Sequence, residues 1–313
     1  MLGALFLILV FPGFLFLSIF GLVLEFIDRK IYARLQNRVG PPWFQTFADF
    51  LKLLGKEDIL PTEANPHMFH LAPIFALTAV VTVFLYIPLW QRESLFSFNG
   101  DIIMILYLLT LPTLAFFIGG WYSVSLYARI GSVRGVTQLF AYEVPLFMSI
   151  LSAALLADSW SVAEISAFYA RHPLYCLFNL AGFAVSLVAL LGKLEKVPFD
   201  IPEAETEIVA GAFTEYSGRF LAFLKLTIDI EMAVGSSLIV AVFFPFSMIF
   251  SPVAGFFIYL IEVLGVVALL SLLRTIVARL RIDQMIDFCW KFLVPVALFQ
   301  LLLNLVLKGV LPK

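Results

Sequence analysis

Long runs of apolar residues, separated by shorter polar segments, dominate this sequence. The hydrocarbon core of a bilayer requires about 20 apolar residues per helix, and most of the runs reach that length. Lipid offers no hydrogen-bond partner to a free backbone N–H or C=O, so each run predicts a transmembrane α-helix. The alternation of apolar and polar residues that is typical of a membrane β-barrel does not occur. We therefore expect an all-α membrane protein of about eight transmembrane helices, forming a single membrane domain over residues 1–313. The predicted spans are about 1–26, 68–90, 102–122, 136–157, 174–192, 219–246, 252–276 and 288–307.

The first polar connection contains a segment with helical periodicity. Apolar residues recur on one helix face between Trp43 and Leu54, while Gln45, Asp49 and Lys52 take the other face. Two prolines precede the segment and a glycine closes it, which is the arrangement that helices favour at their ends. The sequence predicts an amphipathic helix over about 43–55. It lies either in the headgroup plane or against a cavity, of which it forms a wall.

Composition and charge agree with lipid as the main solvent, because 62% of the residues are hydrophobic and 13% are charged. The net charge of -2, without a basic patch, excludes nucleic-acid binding. Connections one, three, five and seven carry thirteen Lys and Arg residues, whereas the even-numbered connections carry only Arg92 and Arg171. Positive residues are retained on the cytoplasmic side. We therefore expect the odd-numbered connections in the cytoplasm and both termini outside the cell membrane.

Connection five contains a cluster of acidic residues, although the connections predicted on the cytoplasmic side are mostly rich in positive residues. Crowded carboxylates repel one another when ionised, so some of their pKa values rise where water is scarce, and such a cluster can hold and pass protons. Pro198 and Pro202, with interleaved apolar residues, favour a packed loop over the more common solvated run of charges. The cluster comprises Asp200, Glu203, Glu205, Glu207 and Glu215.

Ionisable residues lie well inside three of the predicted spans: Glu143 in span four, Lys225, Asp229 and Glu231 in span six, and Glu262 in span seven. Such a group at the bilayer centre costs at least about 2.5–3.5 kcal/mol, so it usually faces a partner, the bundle interior or water, and marks an ion or proton path. Lys225 and Asp229 are spaced to pair on one helix face, which is a purely structural explanation. Glu143, Glu231 and Glu262 have no such local partner and are the stronger candidates for proton transfer.

No sequence motif for a bound cofactor is present. The glycine-rich fingerprints of dinucleotide and nucleotide sites and the haem-attachment motif do not occur. His67 and His70 have a spacing that can hold a metal, but no third ligand follows, so interfacial histidines are the better interpretation. We expect no cofactor or metal in this chain, and any electron chemistry therefore requires partner subunits.

Several polar segments carry specific motifs. They are residues 28–41 (DRKIYARLQNRVGP), 48–58 (ADFLKLLGKED), 131–138 (GSVRGVTQ) followed by Tyr142 and Glu143, 198–211 (PFDIPEAETEIVAG) followed by 215–218 (EYSG), and 280–284 (LRIDQ). In this order, from the first span to the last, they resemble the H-type membrane component of respiratory complex I and its relatives. The resemblance implies an eight-span subunit beside a hydrophilic arm, which lines the quinone chamber or its remnant and leads protons into the membrane.

The resemblance also assigns roles to residues. The family's glutamate in span six aligns near Thr227, so Asp229 and Glu231 are the residues that can replace it. The positive charge of connection one and its amphipathic helix separately predict partner docking and the chamber wall at Arg29, Arg34, Arg38, Asp49 and Lys52. The expected proton path comprises Glu143, Asp200, Glu203, Glu205, Glu207 and Glu215, with Asp229, Glu231 and Glu262 from the spans.

One departure indicates which relatives are most similar. Quinone-reducing complex I usually carries a doubled Gly-Pro segment before the amphipathic helix, whereas residues 37–45 (NRVGPPWFQ) run directly into it. This is similar to the M-type subunit of archaeal group 4 membrane-bound NiFe hydrogenases and to the related sulfane sulfur reductases. The similarity implies a membrane-anchor and proton-coupling subunit that links ferredoxin-dependent H2 evolution or sulfur reduction to ion translocation. Fe–S clusters and a NiFe centre are expected on hydrophilic partner subunits, and antiporter-like subunits are expected beside the chain in the membrane.

Three alternatives remain open at the level of sequence. The first alternative is the quinone-chamber subunit of an NADH or ferredoxin quinone oxidoreductase. The second is a stand-alone secondary transporter, and the third is a passive anchor. A transporter typically shows broken helices in two repeated halves, and no repeat is visible here. A passive anchor predicts that the intramembrane acids are freely replaceable.

Overall fold

The computed structural model describes residues 2–89 and 94–310, with the side chains at 2, 4, 205, 206 and 310 left undescribed. The regular secondary structure of the described part of the chain is entirely helical, which confirms the all-α prediction. A π-helical turn, Cys289–Leu293, joins the last two α-helices, and two short 3-10 helices cover Gly211–Phe213 and Phe246–Ile249. The α-helices are α1 Leu2–Leu9, α2 Phe14–Leu35, α3 Gln45–Leu54, α4 Pro66–Phe84, α5 Asp101–Tyr122, α6 Leu126–Ala157, α7 Val162–Arg171, α8 Tyr175–Phe178, α9 Leu180–Lys193, α10 Glu205–Ile208, α11 Gly218–Phe243, α12 Pro252–Ile276, α13 Ile282–Phe288 and α14 Val294–Val310.

Seven of the predicted spans coincide with segments that are long and apolar enough to cross a membrane. The predicted span at 174–192 differs, because α9 has 14 residues. At a rise of about 1.5 Å per residue it is about 21 Å long, shorter than a hydrocarbon core of about 30 Å. The seven segments are Leu5–Leu35, Pro66–Phe84, Asp101–Tyr122, Leu126–Ala157, Gly218–Phe243, Pro252–Ile276 and Ile282–Gly309.

Asn179 is the residue that interrupts the shortened span. It lies between α8 and α9, and its side chain is fully buried. Its amide donates to the hydroxyl of Tyr169 at 2.8 Å, and its Oδ1 accepts from Asn304 at 2.6 Å and from Gln300 at 3.3 Å. These bonds attach α9 to α7 and α14, and an apolar count along the chain does not detect them.

Helix α11 lies at the centre of the bundle, where it packs against α2, α4 and α12. From Ile230 to Phe243 every residue is buried, as expected of a helix that is apolar on all sides. Gly21 on α2 permits a close approach, because a Cβ atom there would lie 3.1 Å from backbone atoms of Asp229. The two helices are therefore in backbone contact at the level of Asp229.

The predicted amphipathic helix is confirmed as α3, within two residues of its expected bounds. Its Thr46 is buried and donates a hydrogen bond to the carbonyl of Leu22 at 3.1 Å. Phe47 and Phe50 pack against the main core, while Leu51 is exposed. Helix α3 therefore lies against α2 and α11. We call the end of the bundle where α3 lies the cavity side, because a cavity opens there that is described below.

Candidate functional site

A charged cavity opens at the cavity side, with a volume of about 290 Å³. Its walls come from α2, α3, α11, the segment 194–204 and the residues around the end of α12. Thr46, Asp49, Phe50 and Leu53 of α3 contribute, so the amphipathic helix forms a wall of the cavity. Eleven of the twenty lining residues carry a formal charge. Such a lining differs from small-molecule pockets, which are mostly apolar with few polar groups.

A network of ion pairs forms the inner wall of this cavity. The ammonium of Lys196 lies 2.7 Å from Glu25 Oε2 and 2.7 Å from Asp28 Oδ2. Asp28 also pairs with Arg274 and accepts a 2.6 Å hydrogen bond from Ser271, so its carboxylate has partners on three sides. Burial lowers the pKa of Lys196, but attraction to Asp28 and Glu25 outweighs it, and the pKa lies above the ordinary value. This lysine therefore stays charged between the two acids.

A second ion pair lies deeper, one helical turn before Lys196. Lys193 Nζ is 2.8 Å from Glu231 Oε1, and both side chains are almost completely buried. Lys193 ends α9 and also donates to the carbonyl of Leu109 on α5, while Glu231 lies in the middle of α11. Glu143 on α6 is near enough for electrostatic attraction to Lys193. Four helices therefore meet around one buried cation.

Glu195 stands between the two networks. It lines the cavity, and it also lines the narrow cleft beside Gly135 of α6, where its Oε1 would lie 3.8 Å from an added Cβ. Its backbone is left-handed, with φ of 51°, which turns the chain sharply between Lys193 and Lys196. The pKa of Glu195 is raised to about 8, first by burial and then by the negative charges of Glu203 and Glu231, while Lys193 offsets part of this effect. At neutral pH this carboxyl can hold or release a proton.

The predicted acidic cluster is divided by the structure. Asp200 and Glu203 line the cavity, and Asp200 pairs with Arg279 at 2.7 Å. Glu207 instead pairs with Arg134 at 2.7 Å on an exposed surface. Glu215 is half-buried just before α11 and does not line the cavity, and the side chain of Glu205 lies outside the described residues. Of the four acids of this cluster whose side chains the structure describes, it thus brings Asp200 and Glu203 into one site.

The ionisable residues of spans six and seven separate in the same way. Asp229 lines the cavity near Glu25 and Lys196, whereas Glu231 points to α9. Lys225 is near enough to attract Asp229 electrostatically, but their described side chains do not form an ion pair within 4.0 Å. Glu262 accepts a hydrogen bond from the backbone of Ser247 at 3.1 Å, about 14 Å along α12 from the level of Ser271. It lies apart from the cavity.

The predicted docking residues occupy two different positions. Arg29 pairs with Glu25 at 2.7 Å and with Asp49 at 3.6 Å, so it belongs to the cavity wall. Arg34, Arg38 and Lys52 are exposed, on the side where the cavity opens. Arg34 and Arg38 thus remain available for contact with another protein of a complex.

Sequence reasoning missed seven charged residues of the site. Some information was present, because the acids at 25 and 28 and the lysines at 193 and 196 share a spacing of three residues. Complementary charges with equal spacing in two segments could have suggested that the segments meet. The missed residues are Glu25, Asp28, Lys193, Glu195, Lys196, Arg274 and Arg279.

Among the residues that the structure describes, there is no group of three or more His, Cys, Asp or Glu side chains that could hold a metal ion. His70 stacks on Phe220 with ring centroids 4.5 Å apart. Cys176 and Cys289 are both buried free thiols. The expectation that this chain binds no cofactor stays a prediction.

The bundle and its site define an all-α multi-pass membrane protein, with a charged cavity at one end and buried ion pairs leading inward. The chain belongs to the NADH dehydrogenase family, whose family model matches residues 7–305. This confirms the resemblance to the complex I membrane component.

Individual relatives agree with this assignment. The chain is 32% identical to the H-type component of NADH-quinone oxidoreductase from Carboxydothermus hydrogenoformans, over 93% of this chain and 85% of the relative. It is 35% identical to the proteins of the same name from Bacillus mycoides, over 90% and 87%, and Dehalococcoides mccartyi, over 93% and 83%. A chain in the structure of the membrane-bound sulfane sulfur reductase, an archaeal respiratory membrane complex, superimposes with a TM-score of 0.83, 25% identity and coverage of 97% and 98%. The chain is thus an H-type component of a complex I-related respiratory membrane complex.

Proposed function

We propose that this chain is the membrane-anchor and proton-coupling subunit of a ferredoxin-linked complex that evolves H2 or reduces sulfur. One observation carries the coupling role: the charged cavity continues, through Glu195, into the buried pair of Lys193 and Glu231. Charged groups at membrane depth mark ion and proton paths when they are paired with one another and reach a water-accessible cavity. The arrangement meets both conditions.

The proposed path begins at the cavity and ends inside the bundle. Protons enter where Asp200, Glu203 and Asp229 face the cavity, and they reach Glu195 next. Glu195 accepts one because burial makes its neutral form accessible at neutral pH. Its protonation removes a negative charge beside Lys193 and Glu231, which changes the balance of attraction within that pair. Glu143, on the far side of Lys193, is the next acceptor.

Two observations support a ferredoxin-linked complex over a quinone reductase. The cavity is small and lined mainly by charged groups, whereas a quinone ring and its apolar tail require an apolar lining. In addition, the chain covers 98% of the matched chain of the sulfane sulfur reductase but 83–87% of the quinone oxidoreductase relatives. In this proposal, partner subunits carry the redox centres that react with ferredoxin, including Fe–S clusters and a NiFe centre.

The coupling role is tested in vesicles that contain the whole complex. Glutamine keeps the shape and hydrogen-bonding reach of glutamate but does not titrate. Glu195→Gln and Glu143→Gln should assemble normally and lose most ferredoxin-driven acidification, while redox turnover with an artificial donor survives. Glu262→Gln is the matched control, since Glu262 also lies within a span but apart from the cavity. Full pumping in both path variants would favour a passive anchor and reject the proposal.

The quinone-reductase alternative keeps one specific observation in its favour, since the named relatives at 32–35% identity are components of NADH-quinone oxidoreductases. The assay is direct. Purified complex should reduce its acceptor with ferredoxin and show no quinone-dependent rate. A saturable rate with added quinone, blocked by a quinone-site inhibitor, would support the alternative.

A further inference from the structure

A groove on the membrane-facing surface has no role in the proposed proton path. It lies between α5, α6 and the segment that joins α13 to α14, and its volume is about 530 Å³, within the usual range for ligand sites of about 300–1,000 Å³. All of its lining residues but one are apolar. They are Phe117, Trp121, Val133, Val136, Thr137, Phe140, Ala141, Ile286 and Trp290.

The groove offers an apolar surface along its length. The one polar side chain, Thr137, donates its hydroxyl to the carbonyl of Val133 at 2.8 Å and so has its hydrogen bond satisfied within its own helix. Val133 and Phe140 on α6 are exposed, while Ala141 forms a buried floor. Trp290 lies in the π-helical turn, a rare conformation that is often found at functional sites. An apolar chain fits these walls.

One end of the groove carries a positive charge. The guanidinium of Arg129, in the first turn of α6, lies 5.8 Å from the ring centroid of Trp121. Arg129 is exposed, and among the described residues it has no carboxylate within 4.0 Å. Trp121 and Trp290 are both half exposed, as are the aromatic residues that lie at the headgroup level of a bilayer. The positive group thus stands where a lipid phosphate would lie.

We propose that this groove binds one membrane phospholipid, with an apolar tail between α5, α6 and α13 and the phosphodiester at Arg129. Guanidinium is the side-chain group best suited to a phosphate, because its donors match two phosphate oxygens. The charge at one end favours a phospholipid over a transmembrane helix of a neighbouring protein, which would leave the arginine without an anionic partner. The proposal is independent of the proton path.

The test measures phospholipid retained by the purified complex after extended detergent washing, by native mass spectrometry. The wild-type complex should retain one phospholipid per copy of this chain. Arg129→Gln should lower retention about tenfold, as expected for one lost charge-assisted hydrogen bond. Val133→Trp, which fills the groove from an exposed position, should remove the lipid. Arg281→Gln is the control, because Arg281 is also exposed but does not line the groove.

A rebinding experiment separates the phosphate from the tail. Delipidated complex should bind phosphatidylglycerol about ten times more tightly than diacylglycerol, and Arg129→Gln should abolish that difference. Equal retention in wild type, Arg129→Gln and Val133→Trp would overturn the proposal. So would a photo-reactive residue at position 140 that crosslinks a partner helix in place of lipid, since the groove would then be a protein interface.

Discussion

Lys193 and Glu231 form an ion pair whose Nζ–Oε1 distance is 2.8 Å and whose side chains are only 2% and 1% exposed. The two residues come from different helices and are separated by the whole of connection five. Their pairing places one positive and one negative charge inside the bundle, directly beneath the turn that carries Glu195.

The first prediction concerns the stability of this pair. Glu231→Gln leaves Lys193 buried without its anion, so we expect the free energy of unfolding to fall by about 3–5 kcal/mol. The double variant Lys193→Met with Glu231→Leu should recover most of that loss. Asp287→Asn, which breaks an equally short but exposed pair with Lys291, should cost less than about 1 kcal/mol. Denaturation of the purified complex measures all three, and equal losses at the two pairs would contradict the prediction.

The second prediction follows from the pKa of Glu195. This pKa is about 8 in the folded protein against 4.5 for the ordinary group, so the protonated form is favoured by folding. The corresponding stability is present below about pH 4.5 and is lost as the pH rises through about 8. We therefore expect Glu195→Gln to flatten the decline in melting temperature between pH 5 and 8. The coupled rate of the wild type should change with an apparent pKa near 8, and Glu195→Gln should abolish that change; an unaltered pH profile would count against the role.

The third prediction separates the two acids of α11. Asp229 faces a cavity that contains other carboxylates, whereas Glu231 faces Lys193. We expect Asp229→Asn to reduce proton translocation partially, because neighbouring acids can serve in its place, and Glu231→Gln to abolish it in the complex that still assembles. Proton uptake per electron transferred, normalised to assembled complex, is the measurement. A complete loss in Asp229→Asn with normal pumping in Glu231→Gln would reverse the assignment.

The fourth prediction concerns assembly. Arg34 and Arg38 are exposed and lie on the cavity side, so reversing both to Glu should release the hydrophilic proteins of the complex on native gels. Charge reversal opposes a complementary anionic surface and weakens association. Arg171→Glu, at the exposed last residue of α7, is the control and should leave the complex intact. Retention of all components in the double variant would show that docking occurs elsewhere.

The long spans and the amphipathic helix were predictable because their information is local. Twenty apolar residues, or an apolar stripe at helical spacing, is a property of a single segment. The shortening of α9 was not predictable in this way, because it depends on bonds from Asn179 to residues more than one hundred positions away.

The functional site could be predicted only in part from the sequence, for the same reason. The sequence identified Glu231 and Glu143 as costly intramembrane acids but offered only Lys225 as a cation for the acids of α11. In the structure the cation comes from α9, and Lys225 is exposed. Helical spacing detects partners three or four residues away, whereas the cavity is built from partners that the fold brings together. The motif at 198–211 directed attention to connection five, yet its preceding residues supply the lysines that connect the cavity to the bundle.

The backbone contact at Gly21 has a mechanical consequence for the cavity. Because α2 and α11 are in contact through backbone atoms at Gly21, any larger residue there would force the two helices apart and displace the wall that carries Glu25 and Asp229. The other wall, residues 194–204, is irregular and begins directly after the paired Lys193. Because a helix constrains its backbone more than an irregular segment does, we expect changes in the shape of the cavity to occur in residues 194–204.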